Sequence, residues 1–372
     1  MSTGTREIPL ARPLLDEREE ELVLEVLRSG RLSLGPTIDR FEDLVAERVG
    51  ARYAAAVSSA TAGLHILCRI AGLGPGDEAI TSPLSFASSA NCFLFEGAAP
   101  VFADVDARTL NMDPAALEAA ITERTKAVVA VDMFGYPCEL DPLLELCYRH
   151  GLFLVQDACE ALGAEYKGRR LGSHGHPAVF AFYPNKQMTT GEGGAVATGS
   201  EEQYTLLVSL RNQGRADSGG WLHHVRFGYN YRLDDLSSAL GIGQLERLDQ
   251  LIAARAEVAG RYTELLEQVD VETPLPDDAD HKRSWFVYVV KLPSGIDRDR
   301  VIAELDRAGV ASAPYLPSIH LQPYMRERFG FSEGLCPVSE DASRRTLALP
   351  FFPQLELDDQ ERVVEALRVA IG

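Results

Sequence analysis

Lys186 stands in FAFYPNKQMTTGEGG, Phe180–Gly194, among aromatic, small and polar residues with no second cation. A lysine flanked by apolar segments is paired, snorkels to solvent or does chemistry. Once it sheds its proton, a lysine amine attacks carbonyls and forms imines. Gly191, Gly193 and Gly194 would let the backbone approach a ligand closely. An ordinary surface lysine on a glycine-rich turn fits this stretch equally well. Asp157 closes the apolar run at the start of LFLVQDACEALGA, Leu152–Ala164. A carboxylate at a strand end needs something positive facing it. A protonated pyridine nitrogen would serve, and so would the N–H groups of a following helix. Glu160 lies three positions on and could face the same partner.

Three further segments carry potential contacts. In VSSATAGLH, Val57–His65, small residues between a strand and a helix leave backbone N–H groups at a positive helix end, where a phosphate binds. Ser59, Ala60 and Thr61 are the donors there. The nearby Gly72–Gly76 run follows a helix and precedes a strand, the reverse of a dinucleotide fingerprint. Phe86, in SPLSFASSAN, falls where a strand gives way to a helix. Its ring could cover a flat cofactor or fill the core. FGYNYRLDDLSSALG, Phe227–Gly241, gathers Asn230, Arg232 and three aromatics ahead of a long helical region. Such a rim suits phosphate contacts or a subunit interface.

These residues need a scaffold, and the periodicity supplies one. Helical spacing over Asp16–Arg28 and Thr37–Val49 opens the chain. Strands are expected at Tyr53–Val57, Glu78–Thr81, Pro100–Ala103, Ala127–Val131 and Phe153–Gln156. Helices are expected between them at Ala62–Ala71, Phe86–Phe95, from Asp113-Pro114, and at Glu139–Arg149. Alternation of this kind predicts an α/β fold, a mostly parallel central sheet flanked by helices, with ligands at the carboxyl ends of the strands. Further strands are expected at Phe180–Phe182 and Ala195–Thr198. A long helical region follows over Leu233–Glu267, interrupted at Gly241, Gly243 and Gly260. A strand at Phe286–Leu292 and helices at Asp299–Ala308 and Asp358–Ala370 predict a smaller α+β domain. The boundary is placed near residue 250, giving a large domain over 1–250 and a small one over 251–372.

Composition narrows the function classes. The 372 residues carry 36 Lys plus Arg against 55 Asp plus Glu, a formal charge of −19. That surface repels nucleic acid and anionic lipid. No apolar run approaches the roughly 18 residues of a membrane span. The opening MSTGTREIPLARP lacks the apolar core of a signal peptide, so a cytoplasmic protein is expected. The six cysteines form no C-x-x-C pair and the eight histidines show no zinc spacing, so no metal is expected.

Taken together, QDACEALGA, PNKQMTTGEGG and GYNYR, in that order along the chain, resemble the DegT-type sugar aminotransferases, a branch of the fold type I pyridoxal phosphate enzymes. The resemblance runs over nearly the whole chain. It implies pyridoxal 5′-phosphate as cofactor, joined covalently to Lys186, with Asp157 on the ring nitrogen and Glu160 near the ring hydroxyl. Phe86 would stack on the ring and the Ala60 and Thr61 amides would hold the phosphate, beside Ser59. Asn230 would reach that phosphate from the other subunit of a homodimer with shared active sites. Tyr315–Met325 resembles the family's substrate-side loop, with Tyr315, His320 and Arg232 as substrate contacts. Many relatives have serine at position 181. Ala181 here removes about one hydrogen bond, worth roughly 0.5–1.5 kcal/mol, and weaker cofactor retention is expected. Relatives that dehydrate sugars carry histidine at position 186, so lysine favours transamination. The implied reaction is a ping-pong transfer from L-glutamate to a keto-sugar nucleotide, for surface polysaccharide or a glycosylated natural product. A cyclitol ketone as acceptor, or a non-catalytic cofactor-binding regulator, are the rival assignments.

Overall fold

A computed structural model describes residues 7–216 and 222–372. Residues 1–6, part of the segment tested above for a leader, lie outside the described residues. Seven strands make the main sheet: β1 (Tyr53–Val57), β2 (Glu78–Thr81), β3 (Ala99–Phe102), β4 (Thr125–Val131), β5 (Phe153–Asp157), β6 (Ala178–Ala181) and β7 (Gly194–Thr198). Their order is β1-β7-β6-β5-β4-β2-β3. Neighbours from β6 to β3 are parallel, while β7 runs antiparallel to both β1 and β6. Runs such as AVVAV in β4 are buried on both faces because helices cover both. The reversal of β7 matters for the site. Its first residue, Gly194, is paired with both Val57 and Ala181, the last residues of β1 and β6. The start of β7 therefore meets the ends of its neighbours at one sheet edge.

Helix boundaries follow local chemistry. Asp16 caps Glu17–Ser29 with a reciprocal Glu19 contact, and Gly30 ends it in the left-handed region. Ser59 caps Ala60–Ile70, its hydroxyl accepting from the Ala62 N–H at 3.2 Å. The helix expected from Phe86 begins at Ser88, which leaves the Phe86 ring outside it. The long helical region breaks at Arg247, between Asp235–Glu246 and Leu248–Leu265, and not at its glycines. Gly241 and Gly243 serve close packing instead. A Cβ at Gly241 would stand 2.4 Å from the Phe41 ring, and one at Gly243 2.8 Å from Glu19 Cγ. Helix Glu201–Arg211 carries no clear periodic signal, because Leu206, Leu207, Val208 and Leu210 run together.

Beyond the sheet, β8 (Tyr288–Lys291), β9 (Ala313–Pro314) and β10 (Thr346–Leu349) form an antiparallel sheet with β10 central. Val258, Tyr262, Tyr288, Leu347, Val363 and Leu367 fill a second core against it. Ile8 joins that core, exchanging backbone hydrogen bonds with Gly309 and Ala311, so this unit borrows from the chain's start. Asp104, just past β3, accepts from the Val338 and Ser339 N–H groups, both at 2.9 Å. It thus caps helix Pro337–Arg345 from across the two cores. Among the described residues, no helix is long and apolar enough to cross a membrane.

One buried group gives the fold a pH dependence. His176 lies just before β6, with Nε2 3.2 Å from Gln156 Oε1. Burial, with the neighbouring His174 and Arg169, pushes its imidazole down to about 4. The folded chain keeps it neutral while an unfolded histidine titrates near 6.5, so its stability contribution is full above that pH. It is lost as pH falls from there towards about 4, up to roughly 3 kcal/mol. His176→Gln is therefore expected to narrow the gap in Tm between about pH 8 and about pH 5. Thermal denaturation of both proteins at the two pH values checks this.

Candidate active site

The ends of β1, β2, β4, β5 and β6 and the start of β7 open onto one cavity of about 500 Å³. Ser59, Ala60, Thr61, Phe86, Asp157, Glu160, Lys186 and Tyr315, eight residues singled out from the sequence, all line it. They gather there because each follows a strand end, or in the case of Tyr315 a loop folded back from the second unit.

Lys186 sits in the turn between β6 and β7. Its Nζ lies 3.6 Å from Glu160 Oε1 and 3.7 Å from the centre of the Phe286 ring. Glu160 Oε2 accepts from the Phe134 N–H at 2.9 Å. Burial pushes the Glu160 carboxyl above the usual carboxylate range, against the pull of the Lys186 ammonium and that N–H. Gln187 Nε2 donates to the Glu160 carbonyl at 2.6 Å and to the Ser284 carbonyl at 3.1 Å, which ties the lysine turn to the segments that carry Glu160 and Ser284. Asp157 is held on both oxygens. Ser89 Oγ donates to Oδ2 at 2.7 Å, and the Cys159 N–H donates to Oδ1 at 3.3 Å. Ser89 is itself 2.7 Å from Ser85 Oγ. A carboxylate so gripped cannot rotate, and its remaining lone pairs stand at the cavity wall.

At the far side, Ala60 and Thr61 open a helix, so their N–H groups have no intrahelical acceptor. Gly194 makes room for them. A Cβ there would lie 2.7 Å from the Ala60 nitrogen and 2.8 Å from the Phe180 carbonyl oxygen. Gly194→Ala is expected to force these apart, at a cost of about 1–3 kcal/mol in stability. Misaligning a charge-assisted donor should also weaken phosphate-group binding about tenfold or more. Denaturant titration and cofactor titration of the purified variant check the two effects.

The cavity fits a flat phosphorylated pyridine aldehyde by its own chemistry. It offers an amine, a fixed carboxylate and two amides at a helix start. Ala181 lines it and brings no hydrogen-bond donor of its own to the phosphate side. Residues the sequence did not single out complete it: Ser85, Ser88, Tyr183, Asn185 and Phe286. Ser85 and Ser89 had a signal, four positions apart at the start of a helix. Phe286 had none, since it arrives from a segment a hundred residues beyond Lys186.

Three expected contacts lie elsewhere. His320 is wholly buried outside the cavity, with Nε2 3.0 Å from Glu340 Oε1 and its ring beside Phe102. Glu340 also accepts from the Gly334 and Cys336 N–H groups. His320 therefore pins a turn in this chain, outside the lining of the cavity. Asn230 and Arg232 also stand outside this chain's cavity. Asn230 bridges to Asn212, and Arg232 Nη1 donates to Asn212 Oδ1 at 3.0 Å. Their segment is anchored by neighbours on both sides. The Tyr229 hydroxyl donates to Glu96 at 2.9 Å, and the Tyr231 hydroxyl is 3.0 Å from His65 Nδ1.

A lysine, an aspartate and a phosphate cradle around one cavity at the edge of a mostly parallel sheet define a fold type I pyridoxal phosphate enzyme. The description "DegT/DnrJ/EryC1/StrS aminotransferase family" matches residues 13–368, and the chain belongs to that family. It is 40% identical over 375 residues to the spore coat polysaccharide biosynthesis protein SpsC of Bacillus subtilis (strain 168), covering 97% of this chain and 96% of that one. It is 37% identical over 364 residues to the GDP-perosamine synthase of Caulobacter vibrioides, covering 97% of each. The solved structure of DesV from S. venezuelae, in complex with a ketimine intermediate, superposes with a TM-score of 0.91 at 33% identity, covering 98% of both chains. The protein is a sugar aminotransferase that depends on pyridoxal phosphate.

Proposed function

We propose that this enzyme moves an amino group from L-glutamate to the ketone of a nucleotide-linked sugar, in the making of a deoxy-aminosugar. The observation that carries the chemistry is the placement of Lys186 Nζ 3.6 Å from Glu160 in the same cavity as the doubly held Asp157. Similarity to a GDP-sugar enzyme supports the acceptor class.

Bound here, the cofactor would supply an aldehyde and a ring that accepts electrons from the carbon losing its proton. Lys186 would hold it through the aldehyde, and Ala60 and Thr61 would donate their N–H groups to its phosphate. Asp157 would keep a proton on the ring nitrogen. With its amine free, Lys186 Nζ would take a proton from the donor's Cα and later give it back, as general base and then acid. Glu160, 3.6 Å from Nζ, would steady the ammonium between these steps. The sugar ketone then receives the amine by the reverse sequence.

The active unit in this proposal is a homodimer, with Asn230 and Arg232 reaching the partner's cavity. Support comes from apolar side chains left uncovered: Phe86 at the cavity, 67% exposed, and Phe227 on the Asn230 segment, 73% exposed. A screen of keto-sugar nucleotides with glutamate, scored by amino-sugar formation, tests the acceptor. Amination of a cyclitol ketone with no turnover of any nucleotide sugar would overturn it.

A further inference from the structure

Arg255 projects from the middle of helix Leu248–Leu265 and is 2% exposed. Among the described residues, no carboxylate stands within ion-pair distance of it. Its hydrogen bonds go to carbonyls, and its guanidinium carbon lies 5.7 Å from the centre of the Phe351 ring. Nη1 donates to Phe286 O at 3.1 Å, and Nη2 donates to Lys186 O at 2.6 Å and to Asn185 O at 3.4 Å. Burial alone pulls the guanidinium down to about 10, which measures how poorly it is solvated. A buried cation without a counter-ion is costly, and apolar replacements of buried charges are often neutral or better. Such an arginine makes sense where its geometry does something an apolar side chain cannot.

The geometry is specific. The three acceptors belong to two segments a hundred residues apart. Asn185 and Lys186 form the turn that carries the amine. Phe286 carries the ring that lies 3.7 Å from Lys186 Nζ. A single planar fork therefore sets the spacing between the lysine's backbone and the ring its ammonium rests on. Gln187, the next residue, extends the tie to Glu160 O and Ser284 O.

We propose that Arg255 is a positioning residue for the transamination. By donating to the Asn185, Lys186 and Phe286 carbonyls, its guanidinium locks the lysine turn against the Phe286 segment and holds Lys186 Nζ within reach of both Glu160 and the Phe286 ring. This rests on Lys186 being the amine that bonds the cofactor. It goes beyond that assignment by naming the group that aims the amine. A lysine at 255 keeps the charge but offers one point of donation where two diverging nitrogens are used.

The test uses full-length Arg255→Lys and Arg255→Met, with Arg261→Met as control. Arg261 lies on the same helix and also donates to side-chain and backbone oxygens, Gln360 Oε1 at 2.6 Å and Leu355 O at 2.8 Å, far from the lysine turn. Apo protein is mixed with pyridoxal phosphate, and covalent capture is followed by absorbance and by the mass after borohydride treatment. Steady-state kcat and KM for glutamate, and Tm, are measured alongside. Because a shift of about 1 Å in a reacting group costs on the order of 100-fold, capture rate and kcat should both fall ~10- to 100-fold in Arg255→Lys. KM for glutamate should change far less, and Arg255→Met should be slower still. Arg261→Met should lower Tm without changing the capture rate.

Capture and kcat within twofold of wild type in Arg255→Lys overturn the proposal, whether or not Arg255→Met folds. Equal losses in Arg261→Met and Arg255→Lys overturn it too, since they would mark general destabilisation. Wild-type protein that captures no aldehyde would instead defeat the assignment of Lys186, which Lys186→Ala tests separately.

Discussion

Lys186→Ala is expected to abolish turnover, with amino transfer falling by at least about 10⁴-fold. Two roles end together. The cofactor loses its covalent anchor, and the proton at the donor's Cα loses the amine that would take it. The substitution leaves no other base in the right place. Glu160 lies 3.6 Å from Nζ, but its carboxyl is held by the Phe134 N–H and raised by burial. It cannot swing to substitute. Folding should survive, because the lysine lines the cavity with its Nζ over the Phe286 ring, and its loss enlarges that cavity. The variant is expected to hold cofactor together with added amino sugar without converting it, and borohydride should leave no adduct at position 186. Assay of glutamate-dependent amino transfer, with mass spectrometry of the treated protein, checks both. Normal turnover in the variant would eliminate the assigned role.

Asp157→Asn should cost about 10²–10³-fold in amino transfer, with weaker cofactor binding. The substitution is close to isosteric, and the site can accommodate it. The Asn oxygen can still accept from the Cys159 N–H, while its NH₂ faces Ser89, whose hydroxyl can turn to accept and pass its own proton to Ser85. What is lost is the negative charge that, in the proposed function, would keep a proton on the ring nitrogen of the bound cofactor and so sustain its capacity to accept electrons. The loss should therefore fall on both half-reactions, with little change in Tm. Single-turnover rates with glutamate and with the amino sugar, beside cofactor titration and thermal denaturation, separate these effects. A variant as fast as wild type in both halves would remove Asp157 from the mechanism.

Much of the scaffold was legible along the chain because it is local. Asp16, Ser59 and Asp113 announce helix starts through caps that involve residues two or three positions away. β4 and β5 announce themselves as short apolar runs bounded by turns. The glycines of helix Asp235–Glu246 misled because a glycine in a helix looks like a break unless the surface it meets is known. Phe41 and Glu19, two hundred residues earlier, are that surface. The antiparallel course of β7 was equally hidden, since strand direction depends on the path of the preceding turn.

Position in sequence determined which residues could do the chemistry. An isolated lysine among apolar segments, an aspartate ending a strand and small residues opening a helix are local facts of composition. Only the tertiary structure decided which of them meet. It brought Asp157, Glu160, Lys186 and the Ala60–Thr61 amides to one cavity, added Ser89, Phe286 and Arg255, and turned His320 inward to Glu340. The reason is physical. A side chain's type sets what it can bond to, but its partner is chosen by packing between segments far apart in the chain, and no local spacing carries that choice.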